Sequence, residues 1–190
     1  MTRLLAVLAT IGLLFLGGCA PMPPPNFSVP NVGYSPKKLD AELKSMTVTV
    51  ARPDEATGEL PVWVGTQVPP LWQTALVEAL NKMAIFNDDG KEKVNIAVKI
   101  LKFEIPAAGF SMTTETEARY EIQNRKTGDI IYTQNIAASG TTPAGYAFLG
   151  ATRALESMNR SVQNNISLFL QALETVDIDK PMFPTKAAQQ

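Results

Sequence analysis

Glu115, Glu117 and Glu121 lie at even spacing in the run MTTETEARYEIQN, so a strand would carry all three carboxylates on one face. Side by side, two carboxylates can divide acid and base roles or hold a hard cation. The same alternation puts Arg119 among them and collects Met112, Thr114, Thr116, Ala118, Tyr120 and Ile122 on the opposite face. The carboxylate face therefore reads as the solvated one. Asp88-Asp89-Gly90 has the start of a calcium loop without its remainder, and reads as a turn. Gly140, Gly145 and Gly150 lead into a helical pattern, but no Gly-Lys-Ser/Thr follows them to cradle a phosphate. Ser139, Thr141 and Thr142 are nucleophile types with no base set beside them. The chain has no histidine. That removes the commonest general base, the commonest metal ligand and every Ser-His or Cys-His pair. These residues point to no enzyme, no cofactor and no metal site. Contact residues for a partner are sought instead in Glu115 and Glu117, and in Tyr146 and Phe148. The two aromatics either begin the core face of the helix that follows or form an exposed contact patch.

Cys19 is the only cysteine, and its surroundings give it a chemistry. Arg3 supplies a positive head. Residues 4–16 are apolar except for Thr10 and Gly12, and Gly17-Gly18 precede the thiol. This is the layout of a secretory signal peptide, and the apolar run is too short to span a bilayer. Leu16-Gly17-Gly18-Cys19 resembles the bacterial lipobox, in which small residues admit a peptidase and the cysteine takes up lipid. Several acyl chains on one residue make a lasting anchor. In lipoproteins an Asp after the cysteine usually causes inner-membrane retention. Ala20 stands there instead, which implies the outer membrane and its periplasmic face.

The overall charge is −1, and removing Arg3 with the leader makes it one unit more negative. Nothing in that balance suits nucleic acid, which needs a basic face. With no second cysteine, packing must hold the fold. Residues 20–36, APMPPPNFSVPNVGYSP, are rich in proline and read as an extended spacer. Phe27, Val29, Val32 and Tyr34 keep open a second reading, a peptide that docks along the domain.

Strands are expected at 45–51, 59–65, 93–103, 112–124 and 130–138, from alternation of apolar and polar residues. Pro61 makes the second of these an edge strand. Pro69-Pro70 suit the first turn of a helix that continues through Trp72, Ala75, Leu76, Ala79, Leu80 and Met83. Ala151, Leu155, Met158, Val162, Ile166, Phe169 and Leu173 give a long amphipathic helix. The order β-β-α-β-β-β-α implies an α+β two-layer sandwich, a mainly antiparallel sheet covered on one face by two helices. The divisions are 1–18 leader, 19–43 lipidated Cys and proline-rich tether, 44–176 single domain, and 177–190 flexible tail.

The lipobox, the tether and the ending ARYEIQNRKTGDIIYTQNIAASG, then ALESMNRSVQNNISLFLQAL, together resemble small periplasm-facing lipoproteins. In these, a strand, a Gly turn, a returning strand and a helix carrying a segment like Arg160-Ser161-Val162-Gln163-Asn164-Asn165 occur in that order. The YajG-like lipoproteins and the auxiliary lipoproteins of ABC-type envelope transport systems are of this kind. The resemblance implies a non-enzymatic outer-membrane lipoprotein that docks on envelope machinery. Its partners would be the membrane, through lipid on Cys19, and another envelope protein met at the polar sheet face or at the edge near Pro61. The alternative is a carrier of lipid or lipopolysaccharide precursors, with its ligand between sheet and helices.

Overall fold

The computed structural model describes residues 22–185. The leader and Cys19 lie outside them. The order is β1 (Ala41–Val50), α1 (Val64–Met83), β2 (Glu92–Glu104), β3 (Met112–Asn124), β4 (Ile130–Thr142) and α2 (Gly150–Leu173), with one 3-10 turn at Ala144–Tyr146. The sheet runs β1-β2-β3-β4. β1 is parallel to β2, and the other two pairings are antiparallel. Both helices cover one face, so the fold is the expected α+β sandwich.

Residues 59–65 form no strand. Pro61 and Val62 accept hydrogen bonds from Val64 and Gly65, turning the chain directly into α1. Val64, Val68 and Trp72 step by four and all three are fully buried, so helical packing claims residues whose β-branching suits a strand. Pro69 and Pro70 consequently sit inside the helix, beyond its first turn. What remains of pairing at this edge is local: Thr57 N donates to Leu101 O at 3.0 Å, and Phe103 N to Glu59 O at 2.8 Å. Without an intervening strand, α1 becomes the crossover that lets β1 and β2 run parallel.

β3 and β4 pair along most of their length, Met112 opposite Thr142 and Ile122 opposite Tyr132. Their turn places Gly128 at φ 78°, a region open to glycine at little cost. Trp72, Tyr120, Phe103 and Phe169 are the largest fully buried side chains. The Tyr120 and Phe169 rings stack with centroids 4.1 Å apart.

Beside the apolar stripe of α2 runs a buried polar column, Ser157, Ser161 and Asn165, one turn apart. It faces the inner side of β3. Thr114 and Ser157 share a hydrogen bond at 2.8 Å, and Thr116 and Ser161 at 3.0 Å. Trp72 Nε1 donates to Tyr120 Oη at 3.2 Å, and Tyr120 in turn donates to Asn165 Oδ1 at 2.9 Å. Asn165 Nδ2 donates to Ile136 O at 2.8 Å. Burial pushes the Tyr120 pKa up, so the hydroxyl remains the donor in this chain. Tyr120→Phe removes one acceptor and one donor at once. It is expected to cost about 1–3 kcal/mol by urea unfolding, because Trp72 Nε1 and Asn165 Oδ1 lose the hydroxyl they share while staying buried. A cost no larger than that of Thr113→Ala on the wet face would show that the network contributes nothing.

Residues 26–35 lie along the domain without helix or strand, turning once at Pro30–Asn31, where Asn31 has φ 56°. Phe27 and Val29 are buried at 2% and 7% exposure. Asn26 N donates to Asn159 Oδ1 on α2, Ser28 Oγ donates to Glu78 on α1, and Ser35 N donates to Met83 O. The segment thus straps the groove between the helices, the docking alternative rather than the free spacer. β1 also begins within residues read as tether. The far tail is fastened too. Phe183 exchanges backbone bonds with Ile130, and Thr185 Oγ1 donates to Asp129. Side chains of α2 take up other carbonyls of β4: Arg160 donates to Thr141 O and Asn164 to Ser139 O.

Candidate interaction surfaces

Glu115 and Glu117 stand on the uncovered face of the sheet, as the alternation requires. They do not act together. Glu115 accepts from Lys102 Nζ at 2.7 Å, whereas Glu117 accepts from Thr57 Oγ1 at 2.8 Å and Asn135 Nδ2 at 3.0 Å. Arg119 Nε donates to Asn135 Oδ1 rather than to a carboxylate. Lys102 also contacts Glu104 at 3.2 Å. Hydrogen bonds to Glu115 and then to Glu104 raise the Lys102 pKa, so the ammonium form is favoured. This is a solvated lattice of opposite charges, of the sort that contributes little to stability. Among the described residues no group of three or more His, Cys, Asp or Glu side chains is placed to hold a metal ion.

Tyr146 and Phe148 occupy the connection between β4 and α2. Neither joins the core: Phe148 is 99% exposed and Tyr146 is half exposed. The Arg160 guanidinium lies over the Tyr146 ring at 5.4 Å. The structure adds companions that the sequence reading missed. Phe110 in the β2–β3 loop is 89% exposed, Val62 before α1 is 94% exposed, and Leu149 and Trp63 are partly exposed. β1 and β2 end, β3 begins, β4 ends and both helices start on this side. All six residues therefore belong to one end of the sandwich.

Arg153 ties two of these loops together. Its Nη1 donates to Ala147 O at 2.6 Å and Phe148 O at 2.9 Å, and its Nη2 donates to Gly109 O at 3.3 Å. Phe110 and Phe148 so stand on loops held by one guanidinium. Between the loops lies a shallow depression of about 410 Å³, lined by small residues such as Ala107, Ala108, Gly150 and Ala154. Both helix starts are capped by apolar residues, Trp63 and Leu149, which offer no side-chain acceptor, and neither first turn contains an acid. The first N–H groups of both helices are left without a side-chain partner. A sequence signal for this end exists. Residues 60–77, 105–114 and 130–152 contain no charged residue, and all three stretches pass through it.

The edge near Pro61 offers no strand to a partner, because the chain there is already turning into α1.

No family model matches the chain, and no curated protein matches it. Solved structures do. A Xanthomonas campestris protein of the family DUF330 is 14% identical, with 81% of this chain and 96% of that chain covered and a TM-score of 0.57. The protein CT253 from Chlamydia trachomatis is 12% identical over 72% of this chain and 97% of its own, at a TM-score of 0.48. A minor lipoprotein from Acinetobacter baumannii is 11% identical over 70% and 91%, at 0.38. The likeness to the first is one of fold, and the chain shares that fold over nearly the whole length of the DUF330 protein.

Proposed function

We propose that this chain is a lipid-anchored, periplasm-facing lipoprotein of the outer membrane. It does no chemistry of its own and serves as an auxiliary or docking component of an envelope complex or transport system. It resembles the YajG-like lipoproteins and the auxiliary lipoproteins of ABC-type transport systems in pattern. The observation that carries the reading is Leu16-Gly17-Gly18-Cys19 at the close of a leader-like apolar run. Two features support it. The exposed carboxylates bind neighbouring side chains instead of converging on a site, and the three most exposed large apolar residues among those described, Val62, Phe110 and Phe148, gather at one end. A carrier with its ligand between sheet and helices is disfavoured by what fills that space. Trp72, Tyr120 and Phe169 meet there, fully buried.

Labelled palmitate fed to cells is expected to enter the wild-type protein and to be absent from Cys19→Ala. Globomycin is expected to make the uncleaved form accumulate. A wild-type protein without label overturns the reading. Density fractionation then separates outer from inner membrane, and recovery of the labelled protein with the inner membrane would overturn the placement argued from Ala20.

A further inference from the structure

We propose that the end of the domain bearing Val62, Trp63, Phe110, Tyr146, Phe148 and Leu149 seats itself in the surface of the membrane leaflet that holds the acylated Cys19. The proposal rests on the lipoprotein reading above and adds an orientation to it. Its first support is the path of the strap. Ser35 is bonded at Met83, the last residue of α1, while Asn26 is bonded at Asn159 and Gln163 in the middle of α2. Followed backward, the chain therefore travels from the ends of the helices toward their starts. Asn159 lies nine residues into α2, about 14 Å from its first residue at 1.5 Å per residue. Cys19 is seven residues upstream of Asn26, and seven residues reach at most about 25 Å. An anchor on so short a lead, leaving in that direction, brings the apolar end to the lipid first.

The chemistry of that end fits lipid. Phe148 and Phe110 are almost fully exposed on loops fixed by Arg153, so their display costs no reorganisation. Trp and Tyr settle at the headgroup level of bilayers, where one side of the ring is apolar and the other wet. Two helix starts point there with no side-chain cap and no acid in the first turn. Their partial positive charge suits lipid phosphates, although the first N–H groups of α1 already donate to Pro61 O, Val62 O and Trp63 O. The one charged connection at this end, residues 51–59, is folded over the wet sheet face, where Glu55 accepts from Lys99. The opposite end also exposes Tyr34, Met182 and Phe183, but charged groups stand among them: Lys37, Lys38, Asp40, Lys91, Asp177 and Asp179 line a depression there, which is costly to bring against lipid.

The test uses the acylated full-length mature protein, reconstituted in vesicles of phosphatidylethanolamine and phosphatidylglycerol with brominated acyl chains. Bromine quenches nearby indole. The two tryptophans make a natural pair, since Trp63 stands at the apolar end and Trp72 is fully buried. Mass spectrometry of Cys19 comes first. An unacylated Cys19 sinks the lipoprotein reading, and this proposal with it. With acylation in place, the expected result is a loss of emission in brominated vesicles that disappears in Trp63→Phe. In the double variant Phe110→Ser, Phe148→Ser the protein is expected to stay vesicle-bound through its lipid, to melt like wild type, and to lose the quenching. If acylated wild-type protein shows no quenching of Trp63, or the double variant is quenched as strongly as wild type, the end does not enter the lipid and the proposal is overturned. The lipoprotein reading survives either result.

Discussion

Phe27→Ala should lower the stability of the domain by about 3–5 kcal/mol, measured by urea unfolding. Such a loss would be a large share of the roughly 5–15 kcal/mol that holds a domain folded. The reason is packing. The Phe27 ring is 2% exposed between two helices that otherwise touch little, so truncation leaves a cavity that the groove cannot close. Met22→Ala, on the same proline-rich segment but 56% exposed, should cost less than about 0.5 kcal/mol. Equal, small effects at both sites would mean that the strap is a spacer after all. Deleting residues 23–30 should act in the same direction as Phe27→Ala, and an unrelated proline-rich octamer should fail to restore stability, because it restores length without the ring.

Gly140→Val should be as severe, at about 4 kcal/mol or more. Strand propensity alone predicts the opposite sign, since valine favours a strand and glycine does not. Space decides. A Cβ at residue 140 would lie 2.2 Å from Ser161 N and 2.4 Å from Ser157 O, inside the backbone of α2. Helix and strand would have to separate, and the buried bonds from Ser157, Ser161 and Asn165 would go with them. Ser139→Val, one residue away on the exposed side, serves as the control and should change stability by less than about 0.5 kcal/mol. Near-neutral behaviour of Gly140→Val would show that α2 does not sit against β4 as described.

What the sequence made legible follows from period. β3 alternates without a break for thirteen residues, and α2 repeats its apolar positions over six turns, so both declare themselves. The 59–65 run failed because three consecutive bulky residues, Val62, Trp63 and Val64, fit either a strand or the entry to a helix. Only packing of Val64 and Val68 against the sheet decides between them. The strap was half legible. Phe27 and Val29 are two residues apart, but the groove that buries them is made by side chains near positions 78 and 159, far along the chain. The polar column of α2 was hidden because serine and asparagine read as solvated, and their partners Thr114, Thr116 and Tyr120 come from another element. Of the apolar end, Tyr146 and Phe148 were visible as a local pair. Val62, Phe110 and Leu149 join them only once the strands have brought three loops to one side.

The bonds along the outer margin of β4 bear on how copies of this protein coexist. A sheet margin with free N–H and C=O groups is a template on which another chain can extend the sheet. Molecules confined to a plane collide far more often than the same number in free solution, so an open margin would favour runaway stacking. Here Arg160 and Asn164 occupy one stretch of the margin and the Phe183 segment another. The fold thereby covers parts of its β4 edge, and under the proposed anchoring that edge is less able to recruit a neighbour in a crowded layer.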